Sequence, residues 1–175
     1  MANRFAFSTT LSLILVLTGL AVPGTGSFVV AQTSSNPCGL LTIDEIEPLA
    51  AMQTVVDGIA NATPSAGRAA CRYEWGAGTG RYTLDIIVSD ASRMYAGTSP
   101  DAIKQGLASV PTVGSVGEAI PDIGDAAAFK SDSPFLATTT AFMKGQILQL
   151  NLDGYDARAK KDQVIGLLKA ASARL

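Results

Sequence analysis

Residues 69–88, AACRYEWGAGTGRYTLDIIV, decide the fold. Cys71, Tyr73 and Trp75 fall on one side of an extended chain and Arg72 and Glu74 on the other, the alternation of a half-buried strand. After Gly76-Ala77-Gly78-Thr79-Gly80 the alternation resumes, with Tyr82, Leu84, Ile86 and Val88 set against Thr83, Asp85 and Ser89. Strand, glycine-rich loop and strand predict a β-hairpin. A phosphate cradle is the competing reading of the glycines, but that device needs a helix opening directly from the loop, and here a strand follows.

Downstream, Ala126–Lys130, Leu136–Met143 and Gln146–Leu152 read as three further strands. Lys144-Gly145 is the turn between the last two, and Leu148, Leu150 and Leu152 mark one buried face. Asp156 is placed to cap a final helix, in which Val164, Leu168, Ala171 and Leu175 recur at helical spacing. Upstream, Thr42-Ile43-Asp44-Glu45 has the form of a capping box, and Pro48 predicts a kink or two short helices. Residues 57–68, with Asp57-Gly58, Pro64 and Gly67, read as a loop that carries the glycosylation sequon Asn61-Ala62-Thr63. Residues 90–110 read as two helical pieces broken near Gly97, the second restarting at Ser99-Pro100-Asp101. Residues 111–124 read as an ordered crossover or a short strand flanked by turns. The expected order is α-β-β-α-β-β-β-α. This is an α+β fold in which helices cover a mainly antiparallel sheet of about five strands.

The N-terminus reads as an export signal. Arg4 precedes the apolar run Leu11–Val22, Pro23-Gly24 breaks it, and Val29-Val30-Ala31 has the small residues of a cleavage site. The run is shorter than a membrane span needs. The expected organisation is a signal peptide at 1–31, a flexible leader at 32–37, and one α+β domain at 38–175, secreted or held in the periplasm or cell envelope without a transmembrane span. Two cysteines in an exported chain are most simply a disulfide, Cys38 to Cys71, tying the first helix to the sheet. Their separation is unlike the Cys-x-x-Cys of a redox pair.

Pro37-Cys38-Gly39-Leu40-Leu41-Thr42, then Cys71 in an aromatic strand, then Ile123-Gly124-Asp125-Ala126-Ala127, resembles a group of secreted bacterial domains, largely actinobacterial lipoproteins. The similarity spans roughly residues 37–175. It implies a PsbP-like sandwich acting as an envelope accessory module, with no catalytic residue to carry over. The chain departs from that pattern in two places. Ser35-Asn36-Pro37 stands before Cys38 where a lipobox would be, and Tyr73 stands where the nearer tryptophan is expected, with Trp75 two positions on.

Composition narrows the chemistry. The 175 residues include no histidine, which removes Ser-His-Asp and Cys-His nucleophilic arrangements and every His-containing zinc site. A net charge of −2 and a pI of 5.0 give nucleic acid no electrostatic foothold. Asp44, Glu45 and Glu47 form the densest acidic cluster; a helix start explains them, and a carboxylate-dependent hydrolase using Glu45 and Asp44 is the enzymatic alternative. Arg158, Lys160 and Lys161 sit near the start of the last helix, where the dipole disfavours cations, and are the candidate contact surface. The leading expectation is a monomeric, non-catalytic binding or accessory module for an envelope protein, lipid or glycan, without cofactor or metal. A secreted protease-inhibitor-like protein is the third reading.

Overall fold

The computed structural model describes residues 36–51, 53–63, 67–109 and 116–175. The expected signal peptide, residues 32–35 of the expected leader and residues 111–115 of the expected crossover lie outside the described residues. The expected sheet of about five strands is corrected to seven, all antiparallel, in a fold that is α+β in general kind. The strands are β1 (Val56–Thr63), β2 (Arg68–Trp75), β3 (Tyr82–Asp90), β4 (Val116–Ala119), β5 (Ala126–Ser133), β6 (Leu136–Met143) and β7 (Gln146–Asp153). They lie side by side in the order β1-β2-β3-β7-β6-β5-β4.

The two additional strands are the edges. β4 occupies the middle of the crossover and pairs with β5 from Val116↔Ser131 to Ala119↔Ala128. β1 occupies the stretch expected to be a loop. Asp57-Gly58 has the composition of a turn, yet it sits at a register shift between Val56 and Ile59 while the strand runs on against β2. A glycine is required there by close approach: a Cβ at Gly58 would fall 2.8 Å from Cζ of the buried Tyr73 ring.

Among the described residues there are four α-helices: α1 (Ile43–Ala50), α2 (Ala91–Met94), α3 (Pro100–Ala108) and α4 (Lys161–Ser172). α1 is one short helix that ends two residues past Pro48. α3 begins as its sequence indicates, with Ser99 Oγ accepting from the Ala102 N–H at 3.2 Å. Among the described residues no helix is long and apolar enough to cross a membrane.

The strand periodicity divides the sheet into two unequal faces. On one, Cys71, Tyr73, Trp75, Leu84, Ile86, Leu148, Leu150 and Leu152 are buried together with Ile46 and Leu49 of α1 and Val164, Leu167, Leu168 and Ala171 of α4. Each large side chain fully removed from water there contributes ~1.5–3 kcal/mol, so this face holds most of the fold's hydrophobic stabilisation. The other face has a small cluster at one end, Ala91, Ile103, Phe142 and Ile147, with Leu107 packed against it. Its middle is polar: Arg72 and Asp85 pair through two hydrogen bonds of 2.7 Å, and Thr138 Oγ1 and Gln149 Nε2 each donate to Asn151 Oδ1 at 3.0 Å. An antiparallel sheet with one dry and one partly wet face gives this division.

Candidate functional site

Cys38 and Cys71 form the expected disulfide, with Cα atoms 5.1 Å apart and Cys71 fully buried. The bridge ties the turn at Pro37–Gly39 to β2. Tyr73 reinforces it, its Oη donating to the carbonyl of Cys38 at 2.9 Å and of Leu41 at 3.3 Å. Burial holds the Tyr73 phenol above its ordinary pKa, which keeps it a donor. Cys71 lies within the core and the partly exposed Cys38 packs against it, an arrangement suited to bracing.

Glu45, the carboxylate of the hydrolase alternative, is engaged at both oxygens. Its Oε2 accepts from the Thr42 N–H at 2.9 Å, and Arg174 binds it in a fork, Nη1 to Oε2 at 2.7 Å and Nη2 to Oε1 at 2.8 Å. The Arg174 hydrogen bond, followed by the Thr42 amide, lowers its pKa from 4.5 to about 2. Arg174 Nη1 also donates to the Leu40 carbonyl at 2.8 Å, so the group clasps the two ends of the domain together. Asp44 is exposed beside Glu47, Pro48 and Gln53 on an open groove of about 520 Å³. Asp44 and Glu45 thus make different contacts, with both Glu45 oxygens held by Thr42 and Arg174.

Arg158, Lys160 and Lys161 each engage a different partner. Arg158 Nε donates to Ser131 Oγ at 2.9 Å, fastening the chain after β7 to β5. The Lys160 ammonium lies 5.5 Å from the centroid of the Tyr82 ring. Lys161 pairs with Glu118 at 2.9 Å and stands 5.9 Å from the Phe129 ring centroid. A second groove, of about 320 Å³, opens beside that pair among Ile120, Asp122, Ile123, Ile165 and Lys169.

One arrangement escaped the sequence reading. Trp75 and Tyr82 are paired across β2 and β3, and their rings stack with centroids 5.6 Å apart and planes 8° from parallel. Tyr82 in turn meets Tyr155, again at 5.6 Å but tilted by 59°. Exposure along this row rises from 2% at Trp75 and 5% at Tyr82 to 60% at Tyr155. The turn carrying Tyr155 is pinned on several sides. Gly154 lies directly against the Tyr82 ring, leaving no room for a Cβ. The Tyr82 hydroxyl donates to the Asp156 carboxylate, and burial, followed by that bond, holds the phenol well above its ordinary pKa. The Gly154 N–H donates to the Phe135 carbonyl at 2.9 Å, and the Arg158 N–H to the Pro134 carbonyl at 3.1 Å. Phe135, on that adjoining turn, is itself 56% exposed.

Asp156 therefore differs from its expected role. It precedes a short 3-10 turn, Ala157–Lys160, makes no side-chain cap there, and α4 starts only at Lys161. The signal that could have revealed the arrangement is Gly154-Tyr155-Asp156 between the last strand and the last helix, where Tyr155 fits neither the strand nor the helix period.

Among the described residues no group of three or more His, Cys, Asp or Glu side chains is gathered to hold a metal ion. No family model matches the chain, nor does any curated protein or solved structure.

Proposed function

We propose that the chain is exported and acts outside the cytoplasm, as a monomeric, non-catalytic binding or accessory module of a bacterial envelope. Its contact region would be the end of the domain that carries the 133–136 and 153–158 turns. The Cys38–Cys71 bridge supports an oxidising compartment. The Arg4–Val22 signal pattern and the resemblance of Pro37–Thr42, Cys71 and Ile123–Ala127 to secreted bacterial domains point the same way.

The observation that carries the binding role is the pinned turn. A rigid backbone holds Tyr155 and Phe135 in solvent, where burial in their own domain cannot account for them. Preorganised aromatic side chains are efficient contacts, because little rotamer entropy remains to be lost on binding. Two measurements test the reading. Intact-mass analysis of the chain recovered from an export-competent bacterial host should show cleavage near Ala31 and no thiol open to alkylation. The immobilised, disulfide-intact chain should retain material from isolated envelope fractions, and the double variant Phe135→Ala/Tyr155→Ala should not. Free thiols, or equal retention by both forms, would contradict it.

A further inference from the structure

Trp75 is the only tryptophan of the chain, and it lies buried in the core. From it a row of rings leads outward, Trp75 to Tyr82 nearly parallel and Tyr82 to Tyr155 tilted, with 5.6 Å between centroids in each pair. Centroids at this separation put neighbouring π systems in contact, close enough for a single electron to pass between them. Of the three rings, Tyr155 is the one in water. The remaining tyrosines are Tyr73 and Tyr95, and among the described residues no ring contact joins either to the row.

We infer that this row is a one-electron relay, which carries oxidation of Trp75 to the surface and makes Tyr155 the residue at which the domain is oxidatively modified. The inference goes beyond the binding reading and does not depend on it. The initiating agent is a diffusible one-electron oxidant such as a peroxyl radical, or light that ejects the electron. Trp75 loses one electron and becomes a radical cation. Tyr82 returns an electron to it and releases its hydroxyl proton to the Asp156 carboxylate, to which it already donates. Tyr155 then gives an electron to the Tyr82 radical, the proton on Asp156 goes back to Tyr82, and the Tyr155 hydroxyl proton passes to water. The net change is one electron taken up by the oxidant and one proton released to solvent, with a neutral radical left on Tyr155. Two such radicals on different molecules couple through a carbon–carbon bond between their rings, and the displaced ring hydrogens move to the oxygens to give dityrosine.

Burial gives the row its direction. A cation on Trp75 stands among apolar side chains and costs free energy there. Tyr82 is buried as well, and burial together with the Asp156 hydrogen bond holds its proton tightly, so the radical does not settle on it. Among the three rings Tyr155 alone can shed its proton to bulk water.

Laser flash photoionisation of the disulfide-intact chain is the test. Excitation at the red edge of the near-ultraviolet band selects the single tryptophan over the tyrosines, and a dissolved scavenger removes the ejected electron. The expected result is decay of the tryptophanyl radical matched by growth of a tyrosyl radical, then dimers whose dityrosine link maps to Tyr155. Tyr155→Phe should abolish those dimers at unchanged melting temperature. Tyr82→Phe keeps a ring in the row without an ionisable hydroxyl and should prolong the tryptophanyl radical several-fold. Asp156→Asn, which removes the proton acceptor, should slow the decay in the same direction. Tyr95→Phe, exposed but outside the row, should match the parent. If Tyr82→Phe or Asp156→Asn loses the fold, the Tyr155→Phe and Tyr95→Phe arms decide. Absence of a tyrosyl radical in the parent, parental decay in a folded Tyr82→Phe, or cross-links that persist in Tyr155→Phe or vanish in Tyr95→Phe would each overturn the inference.

Discussion

The β1 edge and the 153–158 turn both present bulky apolar side chains to water, and they do so on opposite terms. Val56 and Ile59 ride on a strand paired on one side only, with an irregular register at Asp57-Gly58. Tyr155 rides on a turn whose glycine is pressed against a buried ring and whose next residue takes that ring's hydroxyl. Exposure is similar in the two places; mechanical support is not. The difference teaches that an exposed hydrophobic residue becomes a candidate contact when the backbone beneath it is over-determined, because ordering it on binding then costs little.

The largest expected effect concerns the bridge behind β1. Replacing Cys38 and Cys71 together by serine should lower unfolding free energy by about 3–4 kcal/mol, the chain-entropy cost of releasing a loop of 33 residues. Equilibrium denaturation reads this. If the β1 side depends on the bridge and the turn does not, β1 amides should lose protection while Gly154 keeps it. Next is Gly154→Ala, whose new methyl must displace the Tyr82 ring or the turn; overpacking of this kind costs about 1–3 kcal/mol. A variant as stable as the parent would mean that the turn is free to move aside.

These two expectations also separate what was legible in the sequence from what was not. The bridge, the β2–β3 hairpin, the strands β5 to β7 and the Ser99 helix start all follow from residue type and period, because local chemistry and one buried face fix them. β1 was hidden because Asp57, Gly58 and Asn61 have turn chemistry, and what makes them a strand is pairing to β2. β4 was half visible within a Gly/Pro-rich crossover for the same reason: four residues gain strand identity only from β5. Of the candidate site residues, the sequence marked Arg158, Lys160 and Lys161 as cations at an unfavourable helix start. The helix begins at Lys161, so Lys160 and Lys161 do stand at its N-terminus and only Arg158 falls in the turn before it, while the partners Ser131, Tyr82 and Glu118 are set by tertiary packing. Tyr155 carried no periodic signal.

A third region, the clasp between the chain ends, gives a smaller effect with a defined pH dependence. Glu45→Gln should cost about 0.5–1 kcal/mol at neutral pH, a modest figure because both partners are partly exposed and the pair is screened by solvent. The folded-state pKa of Glu45 is depressed from 4.5 to about 2, so its contribution is complete above 4.5 and disappears as pH falls towards 2. Parent and variant stabilities should therefore converge across that interval, and a constant gap would assign the loss to packing. The smallest effect belongs to the open edge. Ile59→Thr should change stability by less than about 0.5 kcal/mol in the same denaturation assay, since the side chain is 65% exposed and threonine keeps the β-branch.

Native-state hydrogen exchange tests the account at its centre, the rigidity of the turn that presents Tyr155. The amides of Gly154, Ala157 and Arg158, which donate to Phe135, Gly154 and Pro134, should exchange as slowly as those in the middle of β7. Those of β1 should exchange faster. Exchange of the three turn amides at the rate of an unstructured loop would contradict the account, because a turn that opens freely cannot hold an aromatic ring ready for a ligand.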